Sequence, residues 1–290
     1  MPHRFFLIPV AIIFAIFLYF NYNDLENKMW QILLFTILII ALFVFRQLID
    51  EKWYHYFRPK LGEKDRSMIP MVLPYTKNLA DPIKELFYEQ MSYELTRMHI
   101  INKDSSVGGS ALSFTSDSQI PEEIKWMSLG PGILFNILTD KPITENYSRY
   151  VYYTHPFLTP DIQHIHICES HDSDGVIIFS LEQLQASHLN PGRFFNPAVY
   201  EWSGIIFRNY FNNVSLILDN EESWDKLKRI IPFDKEWIEN YLGHKPLGIF
   251  QMLLYAFIMH PQSLKMEFSE GFNIVESRFK SNVYNFNFSV

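Results

Sequence analysis

Two runs near the start of the chain, "FFLIPVAIIFAIFLYF" at residues 5–20 and "WQILLFTILIIALFVF" at 30–45, contain no charged side chain and restrict what this part can become. Side chains this apolar must leave water, either inside protein or in lipid. At 1.5 Å per residue each run covers about 24 Å, somewhat less than the ~30 Å hydrocarbon core of a bilayer. Tyr19, Tyr22, Trp30 and Trp53 flank the runs as interface residues would. With the polar "NYNDLENKM" between them, the runs read as a two-helix transmembrane hairpin over residues 1–46. A cleaved signal peptide is the competing reading; no small-x-small cleavage site follows the first run, and a second run comes at once. Arg4 precedes the first run, and Arg46, Lys52, Arg58, Lys60, Lys64 and Arg66 follow the second, whereas the connecting loop offers only Lys28. That asymmetry predicts cytoplasmic termini and an inner-membrane location.

The remaining chain has the size and apolarity for a buried core: of 290 residues, 48% are hydrophobic. A net charge of −7, with no dense basic patch, argues against nucleic acid as a partner. The single cysteine, Cys168, excludes an intrachain disulfide framework and fits a reducing compartment. Asn146, Asn213 and Asn287 lie in glycosylation sequons, which matter only in a secretory pathway.

Residues 47–67 read as a juxtamembrane connector and 68–290 as one domain without internal repeats. Asp81-Pro82 opens an amphipathic helix that places Ile83, Leu86, Phe87, Met91, Leu95 and Met98 toward a core. A Gly/Ser-rich stretch, "KDSSVGGSALSFTSDS", reads as a turn, and the helix expected after it is disturbed by Gly130-Pro131-Gly132. "RYVYYTH", "QHIHICE" and "GVIIFSL" have strand composition. Helical patterns resume near 197–212, 222–230, 234–242, 246–259 and 265–279. Strands in the middle, with helices before and after, give an α+β fold with a small central sheet.

The most suggestive chemistry is "HIHICESHDSDG", where a strand would put His164, His166 and Cys168 on one face, with His171, Asp172 and Asp174 in the following turn. Imidazole and thiolate are zinc ligands. A strand face aims side chains in parallel, however, so a solvent-facing strand with a polar Asp-Ser-Asp-Gly turn is the simpler reading. There is no Gly-x-Ser-x-Gly elbow and no phosphate loop. "FFNPAVYEWSGIIFRNYF" opens as a capped helix, with Asn196 as N-cap and Pro197 at the first helical position. It holds Glu201 where a zinc-peptidase helix, His-Glu-x-x-His, holds its general base, but neither histidine is there.

From about Leu73 to Lys280 the order of segments resembles the zinc-dependent peptidases related to Mlc titration factor A, which have a zincin fold. The likeness rests on "LPYTKNLADPIKELFYEQMSYEL", "DGVIIFSLEQL", "FNPAVYEWSG", "NYLGHKPLGIFQMLLYAFIMHPQSL" and "FSEGFNIVESRFK". It implies that the two helix ligands of zinc are replaced by Tyr200 and Gly204, and the downstream glutamate ligand by Tyr255. A further glutamate of that segment is replaced by Gly248, and only the general base Glu201 is kept. The resemblance therefore implies a degenerate, catalytically inactive member without a cofactor: a membrane-anchored pseudopeptidase that binds a protein partner, as a regulatory module or a subunit of a membrane complex. The alternatives are a zinc enzyme whose metal site has moved to His164, His166, Cys168 or His171, and a protein whose working part is the hairpin itself. If the metal is gone, the rings of Tyr200 and Tyr255 are expected to fill its cavity, with Gly204 giving room and Glu201 accepting a hydroxyl hydrogen bond.

Overall fold

The computed structural model describes residues 3–22, 26–57, 59–103, 120–211, 219–246 and 248–279. Most of the Gly/Ser-rich stretch and the sequons at Asn213 and Asn287 lie outside them. The chain divides into two compact units, Met1–Pro59 and Lys60–Val290.

The first unit contains α1 (His3–Phe20), α2 (Met29–Val44) and α3 (Arg46–Tyr56). Phe35 of α2 stacks on Phe14 at 5.4 Å and lies 5.6 Å from Phe17, which ties α2 to α1. The expected transmembrane hairpin is not there: among the described residues no helix is long and apolar enough to cross a membrane. The sixteen residues of α2 reach about 24 Å. The eighteen of α1 reach about 27 Å and contain Pro9, which removes one helical amide. The spans at 5–20 and 30–45, and the inner-membrane location derived from them, are overturned on that ground.

The second unit is built from α4 (Glu63–Val72), α5 (Asp81–Arg97), β1 (His99–Lys103), α6 (Glu122–Thr139), β2 (Arg149–Tyr153), β3 (Cys168–His171), β4 (Val176–Ser180), α7 (Leu181–Leu189), α8 (Pro197–Ile206), α9 (Glu221–Ile230), α10 (Lys235–Leu242), α11 (Ile249–Met259), α12 (Pro261–Glu267) and α13 (Ser269–Glu276). The α+β architecture holds. The sheet order is β1-β2-β4-β3, with β1, β2 and β4 parallel and β3 antiparallel at the edge. β1 had no counterpart among the expected strands, and "QHIHICE" is a strand only from Cys168 onward. In α5 the core takes Phe87 and Met91 as expected, but Leu86 is exposed.

Gly130-Pro131-Gly132 does not disturb α6, which runs unbroken from Glu122 to Thr139. Close packing explains this. A Cβ on Gly132 would lie 2.5 Å from the Trp202 ring and one on Gly130 2.5 Å from Leu73. The glycines are thus the surface against which α8 and the segment after α4 sit, and tertiary burial outweighs their poor helix propensity. Trp202 Nε1 donates to the Ser128 carbonyl at 2.7 Å, and Tyr152 donates to the Ser128 hydroxyl at 2.9 Å, so α6, α8 and the sheet meet at one serine.

Candidate functional site

α8 begins as its sequence indicates: the Asn196 side chain accepts hydrogen bonds from the amides of Ala198 and Val199, both at 3.0 Å, and Pro197 takes the first helical position. Every residue of the helix is buried. It packs against α6, α7, β3 and α11.

Toward β3, α8 presents Glu201. Ser170 donates its hydroxyl to Glu201 Oε1 at 2.5 Å and accepts a hydrogen bond from Arg208 Nη2 at 2.6 Å. Arg208 sits on the π-helical turn Phe207–Phe211 that extends α8, and it grips Asp172 through Nη2 at 2.8 Å and Nε at 3.2 Å. Tyr147 donates to the same carboxylate at 2.7 Å. Burial alone would raise the Asp172 carboxyl, but the bonds from Arg208 and Tyr147 hold it below its ordinary value. Asp172 begins the polar turn between β3 and β4, so a salt link joins that hairpin to the end of α8. Ser170, Glu201 and Arg208 open onto a cavity of about 190 Å³ lined also by Tyr200, His244, Lys245 and Gln251.

The positions that the resemblance assigns to zinc ligands are filled differently. Tyr200 is buried edge-on to Phe195, with ring centroids 5.7 Å apart, and Tyr255 stacks on the same Phe195 at 4.1 Å. The Tyr255 hydroxyl accepts the Asn196 amide at 3.2 Å. Gly204 is covered by Gln251: a Cβ there would lie 2.7 Å from Gln251 Nε2, which donates to the Tyr200 carbonyl at 3.1 Å. The room at Gly204 is therefore used by an amide from α11, and the hydroxyl on Glu201 comes from Ser170. These residues do not fit a zinc ion, since one lacks a side chain and the two phenols keep their protons. Burial, and then the nearby Glu201 carboxylate, push the Tyr200 phenol well up; burial does the same to Tyr255. Gly248 caps α11 with φ of +145°, a conformation in which a side chain would be strained.

Of the four alternative ligands, His166 and His171 meet at the Glu169 carboxylate, while His164 and Cys168 have other surroundings. His164 is exposed, and its carbonyl accepts from His166 Nδ1 at 2.9 Å. His166 is buried, with Nε2 on Glu169 at 3.1 Å. His171 lies 3.3 Å from the other Glu169 oxygen and 3.4 Å from Asp161. Burial would raise Glu169, but the hydrogen bonds from His166 and Thr159 and the charge of His171 hold it below its ordinary value. Cys168 faces the opposite way, toward Glu201 and His244, and burial with the Glu201 charge pushes its thiol well up. The strand-face grouping fails because only Cys168 of the first three lies in β3.

Ser170, Arg208, His244 and Gln251 were missed by sequence reasoning. Arg208 had a signal, being two turns from Glu201 on the same helix face. His244 had only a local one, the cap glycine before it, which says nothing about what the ring meets. No protein-family model matches this chain and no curated protein matches it, so the likeness to zinc peptidases rests on the quoted segments alone.

Proposed function

We propose that this chain binds a protein or peptide and does not cleave one, as a pseudopeptidase that retains Glu201 without the chemistry that would use it. The observation that carries the reading is the occupancy of positions 200, 204 and 255: two protonated tyrosines packed on Phe195 and a glycine covered by the Gln251 amide. A general base acts in peptide hydrolysis on water polarised by a metal, and these three residues hold none. The binding half of the reading is supported by β3, an edge strand beside the charged cavity, where an extended peptide could add to the sheet through its backbone.

The test is hydrolysis of an unstructured protein such as casein by the purified chain with added zinc, alongside Glu201→Gln. Both are expected to match the rate without protein; cleavage that needs Glu201 and stops with chelator overturns the reading. For binding, peptides selected from a displayed library are expected to slow hydrogen exchange at the amides of residues 168–171. Selected peptides that leave those amides unchanged would remove the edge-strand site.

A further inference from the structure

The His244 imidazole has one ring nitrogen without a hydrogen-bond partner. His244 Nδ1 lies 3.3 Å from the Lys245 carbonyl, which can only accept, so Nδ1 carries the proton and Nε2 presents a lone pair. That Nε2 is shielded from solvent and has no hydrogen-bond partner. A buried acceptor left unmade costs stability, and such groups in folded proteins usually have a reason.

The surroundings supply one. Cys168 Sγ, a Glu201 carboxylate oxygen and a His244 ring nitrogen all lie within 4.8 Å of one another. They come from three separate places, β3, α8 and the turn after α10, and so converge on a point as the strand-face residues do not. Gly243 fixes the third direction: it caps α10 with φ of +81°, and a Cβ there would collide with the Ile165 carbonyl and His166. Ser170 fixes the second by holding Glu201 Oε1. Tyr200, Glu201 and His244 line the cavity, which gives an ion a way in and room for a further ligand.

We propose that Cys168, Glu201 and His244 form a three-ligand site for a divalent cation of the zinc class, its fourth position open to the cavity. Sulfur, imidazole nitrogen and carboxylate oxygen are together the donor set that zinc accepts, and tetrahedral zinc needs them about 3.5 Å apart, a closure of at most about 1.3 Å from separations within 4.8 Å. Thiolate and carboxylate bring two negative charges to a divalent ion, while the Arg208 charge is already matched by Asp172. Without metal the thiol keeps its proton beside Glu201. Binding replaces that proton: Cys–SH and M²⁺ give Cys–S⁻–M²⁺ and one H⁺. In this role Glu201 is a ligand and not a base, which agrees with the proposed lack of peptidase activity and rests on no part of it.

The experiment uses the full chain, stripped with chelator, reloaded with zinc or cobalt(II) and desalted. One zinc per chain is expected by plasma mass spectrometry, and cobalt should give a sulfur-to-metal charge-transfer band in the near ultraviolet. Cys168→Ala should abolish the band, and His244→Gln, at a half-buried turn, should cut retained zinc at least tenfold while far-ultraviolet circular dichroism stays unchanged. Less than a tenth of an equivalent of zinc in the parent chain, or retention unaltered in both variants, overturns the site. If a variant misfolds, the cobalt band of the parent chain decides alone, because a metal held elsewhere would lack the sulfur transition. Zinc bound with casein untouched supports both readings; zinc bound with Glu201-dependent cleavage keeps the site and removes the pseudopeptidase.

Discussion

The helix pair α1–α2 and the helix pair α8–α11 are similarly apolar, yet α2 buries none of its sixteen residues and α11 buries ten of its eleven. Neighbours make the difference. α11 is packed against α8, α9, α12 and α13, so all its faces meet protein. α1 and α2 shield each other along one seam, marked by Phe14, Phe17 and Phe35, while Leu33, Leu34 and Ile37 stay exposed. A helical pair can cover only the stripe between its members; burying whole helices takes several layers. Apolar sequence thus states a demand for burial, and the number of packing partners decides whether it is met.

The largest test of this contrast is deletion of the same side chain from each pair. Leu253→Ala, at a fully buried position against α13, is expected to cost about 2–5 kcal/mol in urea unfolding. Leu34→Ala, 68% exposed on α2, should stay within about 0.5 kcal/mol. Equal losses would mean that the two pairs are packed alike. A smaller effect sharpens how α8 is anchored: Asn196→Ala removes the acceptor for two amides and should cost about 1 kcal/mol, with Asn196→Asp recovering most of it. No change on either substitution would show that packing alone sets the start of the helix.

The smallest effect lies at the C-terminal end of α11. Burial lowers the pKa of His260, its C-terminal cap, below the ordinary 6.5, although a helix C-terminus by itself would favour the cation. As pH falls below 6.5 the unfolded chain takes up a proton that the folded one refuses, so stability should decline from there down to the folded-state pKa. Thermal midpoints between neutral pH and that lower value should fall less in His260→Gln than in the parent. Parallel curves would mean that burial at this cap is too slight to matter.

Much of α8 was legible because its signals are local. Asn196 before Pro197 is a helix start whatever surrounds it, whereas Arg208, two turns after Glu201, was not read from the sequence despite its helical spacing. The Asp-Ser-Asp-Gly turn was legible for the same reason, its Gly175 taking φ of +61°. α6 was not, since Gly130-Pro131-Gly132 carries a breaker's composition and becomes helix only because Trp202 and Leu73 require that space. β1 escaped notice because a five-residue strand directly after a helix leaves little periodicity to read.

What the chain alone determined is therefore what depends on near neighbours in sequence: caps, turns, strand composition, the α+β class and the apolarity of the early helices. Tertiary structure decided the rest. It set how much of each apolar helix is covered, placed Gln251 over Gly204, and brought His244 from a distant turn to Cys168 and Glu201. The physical reason is range. Hydrogen bonds within a turn are fixed by a few residues, whereas a convergence of side chains from a strand, a helix and a loop is fixed by the packing of everything between them.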